Sequence, residues 1–189
     1  MAKSTLRLFV GVRLPQRLMS RFGVYMKTLQ SVPALEDVRW TPLPNLHITL
    51  RFIGEVPWEQ MREIAREIGA RAGDLGLCNQ ANGSIAFERV IALPHRRPRV
   101  LALEPDECGR RVLQHDHAII EEACRSAGVL PEARGFKPHM TVGRFRRPPR
   151  SLAMWTFPAP PSERFTQPEE LIASELRPEG AVYRPLYQP

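Results

Sequence analysis

Lysine is nearly absent from this 189-residue chain, which carries 24 Arg but only three Lys, at positions 3, 27 and 137. Cysteine is scarce as well. Cys78, Cys108 and Cys124 are odd in number, far apart and without a C-x-x-C spacing. That argues against a disulfide framework or a Cys zinc site and for reduced thiols. No apolar run approaches a membrane span. In the opening "MAKSTLRLFVGVRLP", Arg7 and Arg13 bracket only five apolar or small residues, too few for a signal-peptide core. A cytoplasmic protein with no membrane partner is the expectation. A Gly-rich phosphate loop and short internal repeats are missing too, which sets aside P-loop and solenoid architectures.

What is present is an ordinary globular composition, 43% hydrophobic and 25% charged, with a net charge of +7. The length suffices for one substantial core, or for two small lobes sharing one. Base composition accounts for the excess of Arg as a whole, so placement carries more information. Arg96, Arg97 and Arg99 form one cluster, and Arg144, Arg146, Arg147 and Arg150 form another. Guanidinium forks suit phosphate oxygens, and a basic surface attracts polyanions.

Hydrophobic periodicity gives a strand in "LRLFVGVRLP", then a helix with Leu18, Phe22, Tyr25, Met26 and Leu29 on one face. A short strand, a Pro-marked turn and a strong strand from about Leu46 to Ile53 follow. Pro57 opens a second helix with Met61, Ile64, Ala65 and Ile68 as its buried stripe. Two or three strands come next, with turns at Asn82-Gly83 and from Pro94 to Pro98. A third helix spans about Glu107 to Ala127, "FKPHMTVGRF" is a strand, and the tail forms a hairpin around Pro178 to Gly180. Strands and helices mix without regular βαβ alternation, so the expected class is α+β with antiparallel sheets.

Within this frame the tetrapeptide His-x-Thr-x occurs twice, as His47-Ile48-Thr49-Leu50 and His139-Met140-Thr141-Val142. A chain of this composition would hold two such coincidences roughly once in seventy, rare enough to weigh as chemistry. Strand alternation puts His47 and Thr49 on one face, with Leu46, Ile48 and Leu50 on the other. His139 and Thr141 are likewise separated from Met140 and Val142. An apolar row can then anchor each strand while its imidazole and hydroxyl reach one small anion. In-line displacement at phosphorus asks for this pairing. One imidazole takes a proton from water, another protonates the leaving oxygen, and the hydroxyls hydrogen-bond the non-bridging oxygens. No metal or other cofactor is needed, and a cyclic phosphodiester, whose leaving oxygen stays tethered, suits the scheme.

The two tetrapeptides and their flanks, "RLFVGVRLP", "LHITLRFIGEV", "FKPHMTVGR" and "SELRPEGAVYRPL", resemble the 2H phosphoesterases. Among these they are most similar to the RNA 2',3'-cyclic phosphodiesterases, also called 2'-5' RNA ligases (LigT or ThpR-like). The resemblance implies a single domain over 1–189 built of two intertwined lobes, one motif each. Two antiparallel sheets would face each other across a central cleft, with helices outside. It implies hydrolysis of RNA 2',3'-cyclic phosphate ends, tRNA fragments among them, to 2'-phosphomonoesters, by a metal-independent monomer. His47 would be the proton donor and His139 the acceptor, with Thr49, Thr141 and Arg144 on the phosphate. The same site could also run 2'-5' ligation or 2'-5' phosphodiester cleavage.

Alternation sends Arg144 to the face opposite His139, so reaching the phosphate requires Gly143 to relax or bulge the strand. Arg51 is in phase with His47 and Thr49 and is expected at the cleft rim. Phe9 is placed either in the core or on the nucleoside side of the cleft. Three other histidines carry weaker readings. His115 and His117, two apart on a helix, point about 200° from each other, which disfavours a shared metal and with it a metal hydrolase. His95 belongs to a solvated turn. A non-catalytic RNA-end binding module is the rival from another class. It would need hydrogen-bond donors but no titrating acid and base.

Overall fold

A computed structural model describes residues 5–77, 83–149, 156–178 and 180–189; Cys78, Asn82 and Arg150 lie outside them. Eight strands and three α-helices are present among the described residues: β1 (Thr5–Arg13), α1 (Met19–Gln30), β2 (Val38–Trp40), β3 (His47–Pro57), α2 (Trp58–Gly69), β4 (Phe87–Leu93), β5 (Val100–Pro105), α3 (Glu107–Ser126), β6 (Met140–Phe145), β7 (Glu170–Arg177) and β8 (Gly180–Tyr187). This is the α+β, antiparallel arrangement the sequence implies. The first motif strand runs longer than its hydrophobic pattern suggests, because β1 pairs with it from His47 to Pro57. The middle of the chain holds two strands, β4 and β5, plus an isolated Ile85–Phe165 bridge.

All strand pairs are antiparallel, and they form one eight-stranded sheet rather than the two separate sheets expected; the β3–β6 ladder joins its two halves. One runs β3-β1-β7-β8 and carries the first motif. The other runs β4-β5-β6 with β2 on the far side of β6, and carries the second. Where the halves meet, one ladder pair joins β3 to β6, Ile48 opposite Met140. Both residues are middle members of their motifs, and both are buried. Their backbones lock together just beyond the two histidines.

Two glycines make the close approaches around the motifs possible. A Cβ on Gly11, opposite Thr49, would lie 2.7 Å from the Ile48 carbonyl oxygen. One on Gly143 would lie 2.4 Å from Val38 Cγ1. Any larger residue would push β1 off β3, or β2 off β6.

The helices cover the apolar side of the strands. Phe22, Tyr25, Met26 and Leu29 of α1 are buried, with the Phe22 ring 5.9 Å from that of Phe87 on β4. Met61, Ile64 and Ile68 of α2 and Val112, Leu113, Ile120 and Ala123 of α3 fill the same continuous core. Asp106 caps α3 by accepting from the Gly109 N–H at 2.9 Å. Of the thiols, Cys124 is buried and free, its pKa pushed up to about 11 by burial, and Cys108 is exposed and free. No helix among the described residues is long and apolar enough to cross a membrane.

Candidate active site

Both motif histidines are aimed by the same device. The carbonyl of the residue two positions upstream, Asn45 for His47 and Lys137 for His139, accepts from Nδ1–H at 2.7 Å in each case. A carbonyl can only accept, so each neutral ring carries its proton on Nδ1 and leaves the Nε2 lone pair for chemistry. Asn45 is itself tethered, its side-chain amide donating to the Ala181 carbonyl at 2.8 Å. The Thr49 hydroxyl lies 3.0 Å from His47 Nε2. Histidine and hydroxyl of the first motif therefore share one polar point on the cleft surface.

Both motif strands also break alternation at the same place. On β3 the pairing with β1 skips Leu50: Gly11 faces Thr49 and Val10 faces Arg51. On β6 the pairing with β5 skips Val142: Ala102 faces Thr141 and Leu101 faces Gly143. Each fourth motif residue is thus the extra residue of a β-bulge. The consequence is a change of phase, so the residue three beyond each Thr returns to the cleft. Those residues are Phe52 and Arg144, and both line it. Arg144 reaches the cleft by a bulge at Val142; Gly143 contributes the close contact with β2.

The same shift corrects the expectation for Arg51, which is not at the rim. It is only 4% exposed and turned toward α3. There its Nε pairs with Glu121, its Nη2 donates to the Leu130 carbonyl at 2.5 Å, and its Nη1 donates to Phe52 O at 2.5 Å and Glu132 at 3.4 Å. His117 contributes from the same helix. Its Nδ1 donates to the Leu50 carbonyl at 2.9 Å, and its ring stacks on Phe136 at 4.2 Å. The carbonyl of the extra residue thus takes this ring as a hydrogen-bond partner. Helix α3 therefore holds the β3 bulge and, through Phe136, the segment leading into His139. His115 turns away to the Asp74 carbonyl, 3.0 Å from its Nε2. Among the described residues no three His, Cys, Asp or Glu side chains gather as a metal-binding group.

His47, Thr49, His139, Thr141 and Arg144 all line one cleft of about 900 Å³, within the usual range for small-ligand sites. Phe9 is 4% exposed and forms part of the cleft wall. Its ring lies 4.8 Å from His47, and the Tyr183 ring lies 5.0 Å from His47 and 5.1 Å from Phe9, so the three pack as a triangle. Burial among these rings pushes the His47 pKa down, the Asn45 hydrogen bond partly opposes this, and positive charge at His139 and Arg144 lowers it further. His47 therefore favours the neutral form. Burial likewise raises the Tyr183 phenol, so it stays a hydrogen-bond donor.

The cleft cations differ from those the sequence clusters suggest. Arg7, Arg39, Arg144 and Arg177 line the cleft, whereas Arg96, Arg97, Arg99, Arg146 and Arg147 are exposed elsewhere. Arg177 is tied to Glu175 at 3.0 Å. Arg7, Arg39 and Arg144 have no carboxylate within ion-pair distance among the described residues, so their charge remains available to an anion. Arg7, Arg39, Asn45, Phe52 and Tyr183 are cleft residues that sequence reasoning missed. The alternation of Arg7 and Phe9 on one strand face was a usable signal. Asn45 offered none, because its carbonyl is what orients His47, and every residue has a carbonyl.

Comparison with known proteins identifies the family. Residues 20–176 match the family model of the 2'-5' RNA ligase superfamily. An RNA 2',3'-cyclic phosphodiesterase of Archaeoglobus fulgidus is 30% identical over 186 residues, 96% of this chain and 98% of that one. A Bacillus subtilis protein of the same name is 28% identical over 137 residues, 72% of this chain and 69% of its own. In fold, the chain is similar to Escherichia coli LigT complexed with 3'-AMP, with TM-score 0.74 and 22% identity over 98% of this chain and 97% of that one. A Thermus thermophilus protein superposes with TM-score 0.67 and 23% identity, over 97% and 96% of the two chains. A family match across most of its length, and a relative alignable nearly end to end, mean that this chain belongs to the 2'-5' RNA ligase superfamily of 2H phosphoesterases.

Proposed function

We propose that this protein hydrolyses RNA 2',3'-cyclic phosphate ends to 2'-phosphomonoesters, using His47 and His139 as an acid–base pair and no metal. The observation that carries the reading is the matched aim of the two imidazoles: each is fixed at Nδ1 by a main-chain carbonyl, leaving Nε2 for proton transfer in a cleft where Arg7, Arg39 and Arg144 have no carboxylate partner among the described residues. The two lobes act as one domain and supply one histidine each. RNA ends, tRNA fragments among them, are the substrates of a monomer.

In the scheme, Arg144 and the Thr49 and Thr141 hydroxyls hold the non-bridging oxygens. His139 Nε2 accepts a proton as water attacks phosphorus. The P–O3' bond breaks, and His47 Nε2–H protonates the departing O3', leaving the phosphate on O2'. The order of roles follows the family resemblance. The protein groups around His47 by themselves favour its neutral form. The negative charge of a bound phosphodiester opposes the charges of His139 and Arg144 and so favours the protonated donor.

The test is incubation of an oligonucleotide ending in a 2',3'-cyclic phosphate with the protein and EDTA, followed by identification of the product isomer. A 2'-phosphate formed at an undiminished rate in EDTA is the expected result. A 3'-phosphate product, or activity abolished by the chelator and restored by a divalent cation, would overturn the scheme.

A further inference from the structure

Helix α3 is pinned at Asp116, which is fully buried and accepts from the Gly76 and Leu77 N–H groups at 2.6 and 3.2 Å. The next residue, His117, reaches from this fixed element to both motifs. Its Nδ1 donates to the Leu50 carbonyl, and its ring stacks on Phe136 with the two planes 14° apart. Leu50 closes the first motif, and Phe136 lies three residues before His139. Glu121, one turn further along the same helix face, holds Arg51, the residue after Leu50. The β3 bulge is thereby gripped at two successive residues from one face of α3.

The two motifs depend on His117 in different ways. On the first, the carbonyl that orients His47 is secured by other contacts. Asn45 ends the turn Leu43–Asn45, and its side-chain amide is tied to the Ala181 carbonyl. There His117 acts on the far end of the motif, at the carbonyl of the residue that follows Thr49. On the second, the orienting carbonyl belongs to Lys137, within residues 135–139, which form neither helix nor strand. Pro138 restricts Lys137 to extended backbone, but it does not set the direction from which the segment approaches. The Phe136 ring, seated on His117, supplies that direction.

Building on the proposed function, we propose that His117 is a positioning residue for the acid–base pair. It sets Thr49 and His47 through the Leu50 carbonyl, and His139 through Phe136. His117 is not among the residues that line the cleft, so it acts on alignment and not on substrate. A reacting group displaced by about 1 Å loses about 10²-fold in rate. Loss of the His117 ring should therefore appear in kcat and leave KM little changed.

Variants separate the two contacts. His117→Phe keeps a ring for Phe136 and loses the donor. His117→Asn keeps an amide N–H in the place of Nδ1 and loses the stack. His117→Ala loses both and should lower kcat by about 10²-fold, with the other two in between. NMR of the isotope-labelled ring nitrogens reads the alignment with no substrate present, because an imidazole released from its carbonyl mixes tautomers. His139 should lose its uniform Nδ1–H form in His117→Asn and keep it in His117→Phe. Where a His117 variant fails to fold, Phe136→Leu removes the stack alone, and His139 should again mix tautomers. A contact that serves stability only would lower Tm while the folded variants kept parental kcat and the parental His139 tautomer. That result would overturn the proposal, and so would wild-type His117 in the Nε2–H form, which cannot donate to Leu50 from Nδ1. A wild-type protein that opens no cyclic phosphate would refute the proposed function, and the tautomers would still decide whether His117 aligns the pair.

Discussion

Replacing Arg51 with methionine tests whether the bulge in β3 is held from behind by α3. Methionine keeps most of the side chain's length but removes the charge that faces Glu121 and Glu132 and the donors to the Leu130 and Phe52 carbonyls. Removing one partner of a buried ion pair costs roughly 3–5 kcal/mol, mostly because the other charge is stranded. Here the Glu121 side chain is 21% exposed and that of Glu132 35%, so water relieves part of the penalty and the lower end, about 3 kcal/mol, applies. For a chain of this size that corresponds to a fall in Tm of about 6–12 °C. Thermal unfolding followed by circular dichroism, with a urea titration for the free energy, measures it. Adding Glu121→Gln should restore part of the loss, since the stranded charge goes with it. A single variant melting within a degree of the parent would show that the pair does not hold the strand, and the account of the bulge would fall.

Three further outcomes follow from the site. His47→Ala and His139→Ala should each lower turnover about 10²–10⁴-fold, and the double variant should lose far less than the product of the two, because paired groups act as a unit; a folded single variant with parental turnover would refute the pairing. A donor must be protonated, so activity is lost as pH rises through its pKa. With the His47 pKa lowered in the free protein, the basic limb of kcat/KM should lie at lower pH than that of kcat, where bound phosphate favours the proton. The reverse order of limbs, measured for the coupled pair, would take the donor role from His47. Arg39→Gln should flatten the salt dependence of oligonucleotide binding by about one counterion, whereas Arg147→Gln, outside the cleft, should leave it alone; equal slopes for the two variants, by fluorescence anisotropy across a salt series, would contradict the placement of the cations.

The elements were legible because apolar residues recur at the helical period in α1, α2 and α3, and because strands such as β1, β5 and β7 are short runs of apolar residues buried on both faces. The paired motifs were legible because chemistry needs those residue types wherever the backbone goes. The phase beyond each motif was not, since nothing in the identities of Leu50 or Val142 marks an extra residue. Those bulges depend on partners far along the chain, such as His117 at the Leu50 carbonyl. The cations misled for a related reason. Arg96, Arg97, Arg99, Arg146 and Arg147 lie in turns beyond the strand ends and away from the cleft, so closeness in sequence did not bring them to the site. Arg7, Arg39, Arg144 and Arg177 come instead from β1, β2, β6 and β7.

The single Ile48–Met140 pair between the two halves of the sheet has a mechanical consequence. Each histidine is one residue from that junction, so the pair that joins the halves also fixes the spacing of the two imidazoles. Helix α3 braces it from behind, through Glu121 on Arg51 and His117 on the Leu50 carbonyl. The two members of the acid–base pair are thereby held to one gauge, as two rails are held by a tie.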